Sequence, residues 1–192
     1  MPSSPNEILD FWFGREGEEG YGEFREAWFK KDEEFDDQVR ERFLDDYERA
    51  ARGEYDGWRE APEGFLALVI LLDQFPRNMF RGDARTYATD EQALEISESA
   101  IERAFDRELP PFQRMFLYMP FMHSEDVEVQ RRSVELFESL AAAENGRDVR
   151  DFTVSHRDIV ERFGRFPHRN ALLDRETTPE EAEFLKEPGS SF

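Results

Sequence analysis

The chain has 192 residues, enough for one domain with a substantial core. Its 45 acidic residues outnumber 25 basic ones, and the formal charge of -20 makes a surface that repels nucleic-acid phosphates and anionic membranes. With no cysteine, disulfides and thiolate metal sites are excluded.

The N-terminus MPSSPNE is polar and acidic and carries no signal, transit or membrane-spanning run, which points to the cytoplasm. Ser4-Pro5-Asn6-Glu7 matches a capping box and predicts a helix through Ile8, Phe11 and Trp12, ending at Gly14. Glu16 to Gly22 reads as a solvated loop. Asp32 opens a long helix whose Phe35, Val39, Phe43 and Tyr47 form one apolar stripe, closed by Gly53. From Phe65 to Leu72 every residue is apolar, too short a run for a bilayer and suited to the centre of a packed domain. Pro76 lacks an N–H, so the Leu72 carbonyl cannot be satisfied in the usual way and the helix should end or bend there.

Thr89 to Gln92 is a second capping box, before a helix marked by Leu94, Ile101 and Phe105 and widened by Ala93, Ile96 and Ala100. Pro110-Pro111 starts a helix with Phe112, Met115, Phe116 and Met119, which Pro120 is expected to stop. Ser124 is expected to cap the next, with Val127, Val134, Phe137 and Ala141 inward and Asn145-Gly146 as its end. Thr153 is expected to cap a short helix finishing at Gly164. Thr178 to Glu181 is a third capping box, and 187–192 reads as a frayed tail. No segment alternates with a period of two, so residues 1–192 read as a single all-α domain of antiparallel helical pairs on short connections.

Four polar clusters interrupt apolar sequence near helix ends: Asp73 to Asn78, His123 to Asp126, Ser155 to Arg157, and Arg162 to Asn170. They hold all three histidines. His156 has Ile159, Val160 and Phe163 on its own helix face and so points inward, the position of either a core histidine or an acid–base group. Histidine separations of 33 and 12 residues match no metal-ligand pattern, and no metal or other cofactor is expected. No GxSxG and no phosphate-cradling glycine loop occurs. Arg77, Arg157, Arg162, Arg165 and Arg169 suit a carboxylate or phosphate ligand. They can equally pair within the protein, with Asp73, Asp158, Glu161 and Asp174.

At the same places the sequence resembles a known family. ILDFWFG, LLDQFPRNMFRG, FLYMPFMHSED and HRDIVERFGRFPHRNALLDRETTPEEAEFL together resemble the domain-of-unknown-function family 924, in order and over nearly the whole chain. The resemblance implies tetratricopeptide-like helical pairs in a compact superhelix and no established activity.

Two functions follow as expectations. One is a binding module offering a peptide or protein partner an exposed apolar or charged groove separate from the histidines. The other is a pocket or enzyme for a small anionic molecule. There His123 or His156 acts as acid or base, Asp73 or Glu125 orients it, and Arg77 and Arg169 hold the anion. Gln74, Asn78, Arg165, His168 and Asn170 are the further candidate ligand contacts. Neither requires nucleic acid or a membrane, and the oligomeric state is open. Only Lys30, Lys31 and Lys186 are lysines, a balance that suits a high-salt cytoplasm and is also that of a moderately acidic protein from a GC-rich genome, which favours Arg over Lys.

Overall fold

The computed structural model describes the backbone of residues 2–143 and 150–191 and the side chains of 2–140 and 151–191; the predicted helix end at Asn145-Gly146 and the inward Ala141 lie outside them. All regular structure among the described residues is helical. The chain divides into two compact units. The first comprises residues 1–81 and 85–120, the second 82–84 and 121–192.

In the first unit, helix α1 (Pro5–Phe13) begins at the predicted capping box, with Ser4 and Glu7 bonded reciprocally. Helix α2 (Glu33–Ala51) starts where the Asp32 side chain accepts from the Phe35 N–H. Its stripe buries Val39, Phe43 and Tyr47 but also two carboxylates, Asp36 and Asp46. The central run is α3 (Pro62–Val69), a π-helical turn (Ile70–Gln74) and α4 (Phe75–Met79). Every residue from Gly64 to Pro76 is buried.

The π turn explains how the chain passes Pro76 without stopping. The Phe75 N–H bonds the Ile70 carbonyl, five residues back, and the widened turn lets Pro76 enter the first turn of α4. The Leu72 carbonyl accepts instead from the Thr89 hydroxyl at 2.5 Å. That bond uses the hydroxyl predicted to cap α5 (Asp90–Glu102), and no side-chain cap forms there. A tertiary acceptor has displaced the local one. The buried face of α5 is Ala93, Ile96, Ser97 and Ala100, while Leu94 and Ile101 flank it half-buried.

Helix α3 packs on α1 and α5, and α2 on α4 and the π turn. Aromatic rings fill the space between them: Phe75 stacks 4.9 Å from Phe43 and meets Trp12 edge-on at 5.7 Å, and Trp12 meets Phe116 edge-on at 5.6 Å.

Helix α6 (Pro111–His123) runs through Pro120 rather than stopping there. Proline removes one helical hydrogen bond but leaves the backbone angles helical. In the second unit, α7 (Val127–Ala143) is capped by Asp126, whose carboxylate accepts from the Glu128 and Val129 N–H groups; Ser124 instead accepts from the Asp126 N–H. Helix α8 (Arg150–Phe163) begins before Thr153, which is buried inside it rather than capping it. Helices α7 and α8 pack together. Ile159, Val160 and Phe166 form a core with Val127, Phe163 and Phe184 against it. Helix α9 (Pro179–Phe184) carries the predicted Thr178–Glu181 capping box.

Candidate functional site

The four sequence clusters divide between the units. Asp73, Gln74, Arg77 and Asn78 belong to the first. The Asp73 side chain is fully buried, and burying a carboxylate is costly without a cation. Arg77 Nη1 supplies one, 3.4 Å from the Asp73 carboxylate and bonded at 2.6 Å to its carbonyl. The same guanidinium forks onto both oxygens of Asp90, at 2.9 and 3.1 Å. Burial pulls the Arg77 guanidinium down, but Asp73 and Asp90 together hold it above its ordinary value. Gln74 Nε2 donates to the Asp73 carboxylate, and Asn78 Nδ2 to Asp36, which also receives Arg81. These side chains therefore brace α4 against its neighbours.

The second unit gathers all three histidines with Arg169. The Phe166 ring lies 5.6 Å from His156 and 5.6 Å from His168, and the Arg169 guanidinium sits 4.6 Å over it. Arg169 also donates to the His123 carbonyl at 3.0 Å. His156 points inward as its spacing predicts and is 5% exposed. Its Nδ1 donates to the Phe152 carbonyl at 2.7 Å, which sets the tautomer because a carbonyl only accepts.

Burial first, and then the positive charge of His123, Arg169 and His168, hold the His156 imidazole down at about 3, against a raising effect from the Phe152 bond. An imidazole so weakly basic is poorly matched to proton transfer near neutrality. It is matched to a stability effect. Above its ordinary value the ring is neutral folded or unfolded; below it, the unfolded chain takes up a proton that the folded chain refuses. Stability should therefore fall from about pH 6.5 towards pH 3, by up to a few kcal/mol at roughly 1.4 kcal/mol per unit. Urea melts of wild type and His156→Asn across that window should show a flatter slope for the variant.

Arg165, Asn170 and Glu125 hold the FPHRN segment in place. Arg165 forks onto Glu181 at 2.7 and 2.9 Å, and Asn170 reaches the same carboxylate at 3.3 Å. The Arg165 bond, ahead of opposing burial, lowers the Glu181 carboxyl to about 2. That contribution is complete above the ordinary carboxylate range and is lost as pH falls through 2. Glu125 accepts from the Phe166 N–H at 2.8 Å and from Arg175 at 2.9 Å. Arg157 pairs with Asp158, and Arg162 with Glu180. Of the acids expected as partners, Asp73, Asp158 and Glu161 serve. Asp90, Glu180 and Glu181 were missed, although Glu181 stood in the sequence as a capping residue.

A solvent-open cleft in the first unit is lined by no residue of the four clusters and had no signal in the sequence. About 690 Å³ in volume, it is walled by Asp10, Glu16, Glu63 and Glu108 over a floor that includes Leu9 and Leu109. Neither a histidine nor a cation lines it.

Among the described residues, no group of three histidines or carboxylates could hold a metal ion, and no helix is long and apolar enough to cross a membrane. The model of the family described as bacterial protein of unknown function (DUF924) matches residues 8–189. The chain is similar to the solved structure of the protein of unknown function ATU0120 from Agrobacterium tumefaciens. The two are 46% identical with a TM-score of 0.84, over 95% of this chain and 96% of that one. No curated protein matches. The protein is thus a member of the DUF924 family.

Proposed function

We propose that the protein is a binding module that takes its ligand in the acidic cleft of the first unit. The observation that carries this reading is the cleft itself, a charged groove with no histidine in its walls. Of the two arginines expected to hold an anion, Arg77 is engaged by Asp73 and Asp90, and Arg169 by the His123 carbonyl and the Phe166 ring. The test is a thermal-shift screen of small cations, small anions and short peptides on wild type, Glu63→Lys/Glu108→Lys, and Glu91→Lys/Glu98→Lys on the outside of α5. At least one hit should vanish in the cleft variant alone. If every hit survives there, the reading fails.

A second reading, a small-molecule pocket or enzyme using His123 and His156 with Asp73 and Arg77 or Arg169, draws on the placing of His156 and His168 against Phe166, with the charge of His123 acting on His156. A hit abolished by His123→Ala and Arg169→Ala, with melting temperature unchanged, would favour it.

We also propose that the protein works in the cytoplasm of a high-salt cell. The support is the charge of -20 with three lysines. Screening shortens the reach of its self-repulsion from ~30 Å at about 0.01 M salt to ~3 Å at about 1 M. Its melting temperature should rise across that range of KCl, and a flat or falling curve would overturn the assignment.

A further inference from the structure

We propose that this chain pairs with a second copy of itself through an aromatic knuckle just before α2. Among the described residues the exposed large hydrophobic side chains are Phe24 at 42%, Phe29 at 53% and Phe152 at 61%. A single exposed residue of this kind is ordinary. Phe24 and Phe29 are not single: their rings stack 5.6 Å apart and within 8° of parallel. Half-buried Trp28 extends the patch, 6.2 Å from Phe24 and 6.4 Å from Phe29.

The first unit holds this knuckle in place from beneath. Trp28 Nε1 donates to the Trp12 carbonyl at 3.1 Å, and its ring lies 4.9 Å from that of fully buried Phe116. Arg25 Nη1 donates to the Phe11 carbonyl at 2.9 Å, which ties the approach to the turn Glu26–Trp28. A surface fixed in advance loses little freedom on association.

The charge beside the stack favours a second copy as the occupant. Lys30 and Lys31, two of the three lysines in the chain, follow Phe29 directly, and Glu33 and Glu34 stand just beyond them. Within the chain the lysines pair with Glu26 and Glu33, and all four side chains are at least 61% exposed. Such pairs are worth under ~1 kcal/mol each and are readily exchanged for pairs across an interface. A uniformly acidic partner would meet the glutamates, and a uniformly basic one the lysines. A two-fold axis instead sets the patch against itself. With that axis through the phenylalanine stack, the lysines of each copy face the glutamates of the other. Two copies carrying -20 each repel, and here that repulsion is locally offset. Three aromatic side chains make a small apolar centre, so the pair should be reversible, with a Kd of about 1–100 μM.

Sedimentation equilibrium on the full chain in about 0.15 M KCl tests this. Wild type should pass from monomer to dimer as concentration rises. Phe24→Ser/Phe29→Ser should weaken association about tenfold or more, and Phe152→Ser should leave it unchanged. Lys30→Glu/Lys31→Glu and Glu33→Lys/Glu34→Lys should each stay monomeric alone. Their equimolar mixture should recover the dimer, because each variant supplies the sign the other has lost. A monomer at every concentration, a dimer untouched by the phenylalanine variant, or an equal loss in Phe152→Ser overturns the proposal. So does a mixture of the two charge variants that stays monomeric, an outcome that leaves the stack to a different partner. Should the phenylalanine variant fail to fold, the mixture decides by itself.

Discussion

Arg77→Met should lower the unfolding free energy by about 3–5 kcal/mol, the usual cost of removing one partner from a buried ion pair. The guanidinium is only 21% exposed and faces two carboxylates, of which Asp73 is fully buried and Asp90 13% exposed. Methionine replaces much of the aliphatic volume, so the loss is chiefly electrostatic. Arg77→Lys should fall between, because an ammonium keeps the charge but cannot fork onto Asp90 while bonding the Asp73 carbonyl. Arg132→Met is the control. Its partner Glu135 is 66% exposed and it is itself 53% exposed, so the pair is worth under about 1 kcal/mol. Denaturant midpoints for the three variants check the order. Equal small losses would mean that Arg77 is dispensable to α4.

The contrast between caps marks what a sequence can disclose here. Ser4, Asp32 and Thr178 cap as expected because both partners lie within three residues. Thr89 has the same local signature, but its hydroxyl meets the Leu72 carbonyl that Pro76 orphaned, 17 residues away. Pro76 flagged the orphan and could not name its donor. The arginines behave alike. Their need for carboxylates was readable, whereas Asp90 and Glu181 were not, since in a chain with 45 acidic residues no single one stands out.

The three histidines share the second unit, where His156 and His168 both lie against Phe166. The acidic cleft had no comparable signal. Its carboxylates are drawn from four stretches, each ordinary for this composition, and only packing brings them around one space. The all-helical class was legible throughout, because apolar spacing is a property of each segment alone.

Gly64→Ala should destabilise the protein, against the propensity rule. Glycine inside a helix is worse than alanine by roughly 0.5–1 kcal/mol, so an unconstrained site would gain from the change. Gly64 lies in the first turn of α3, buried, and a Cβ there would collide with the backbone carbonyl of Trp58, far inside any contact a real Cβ makes. A backbone atom cannot swing aside as a side-chain tip does. Relief requires the turn Asp56–Trp58 to move, and Trp58 is stacked 4.2 Å from Tyr55, whose hydroxyl bonds the buried Asp46 that also holds Ser3. Overpacking of this kind costs about 1–3 kcal/mol or more, which outweighs the propensity gain. Gly57 is the matched control: a Cβ there meets nothing within 4 Å, so Gly57→Ala should be neutral or slightly stabilising. Opposite signs for the two alanines in thermal melts are the expected result. A stabilised Gly64→Ala would mean that α3 and the Trp58 turn are not held as closely as this glycine implies.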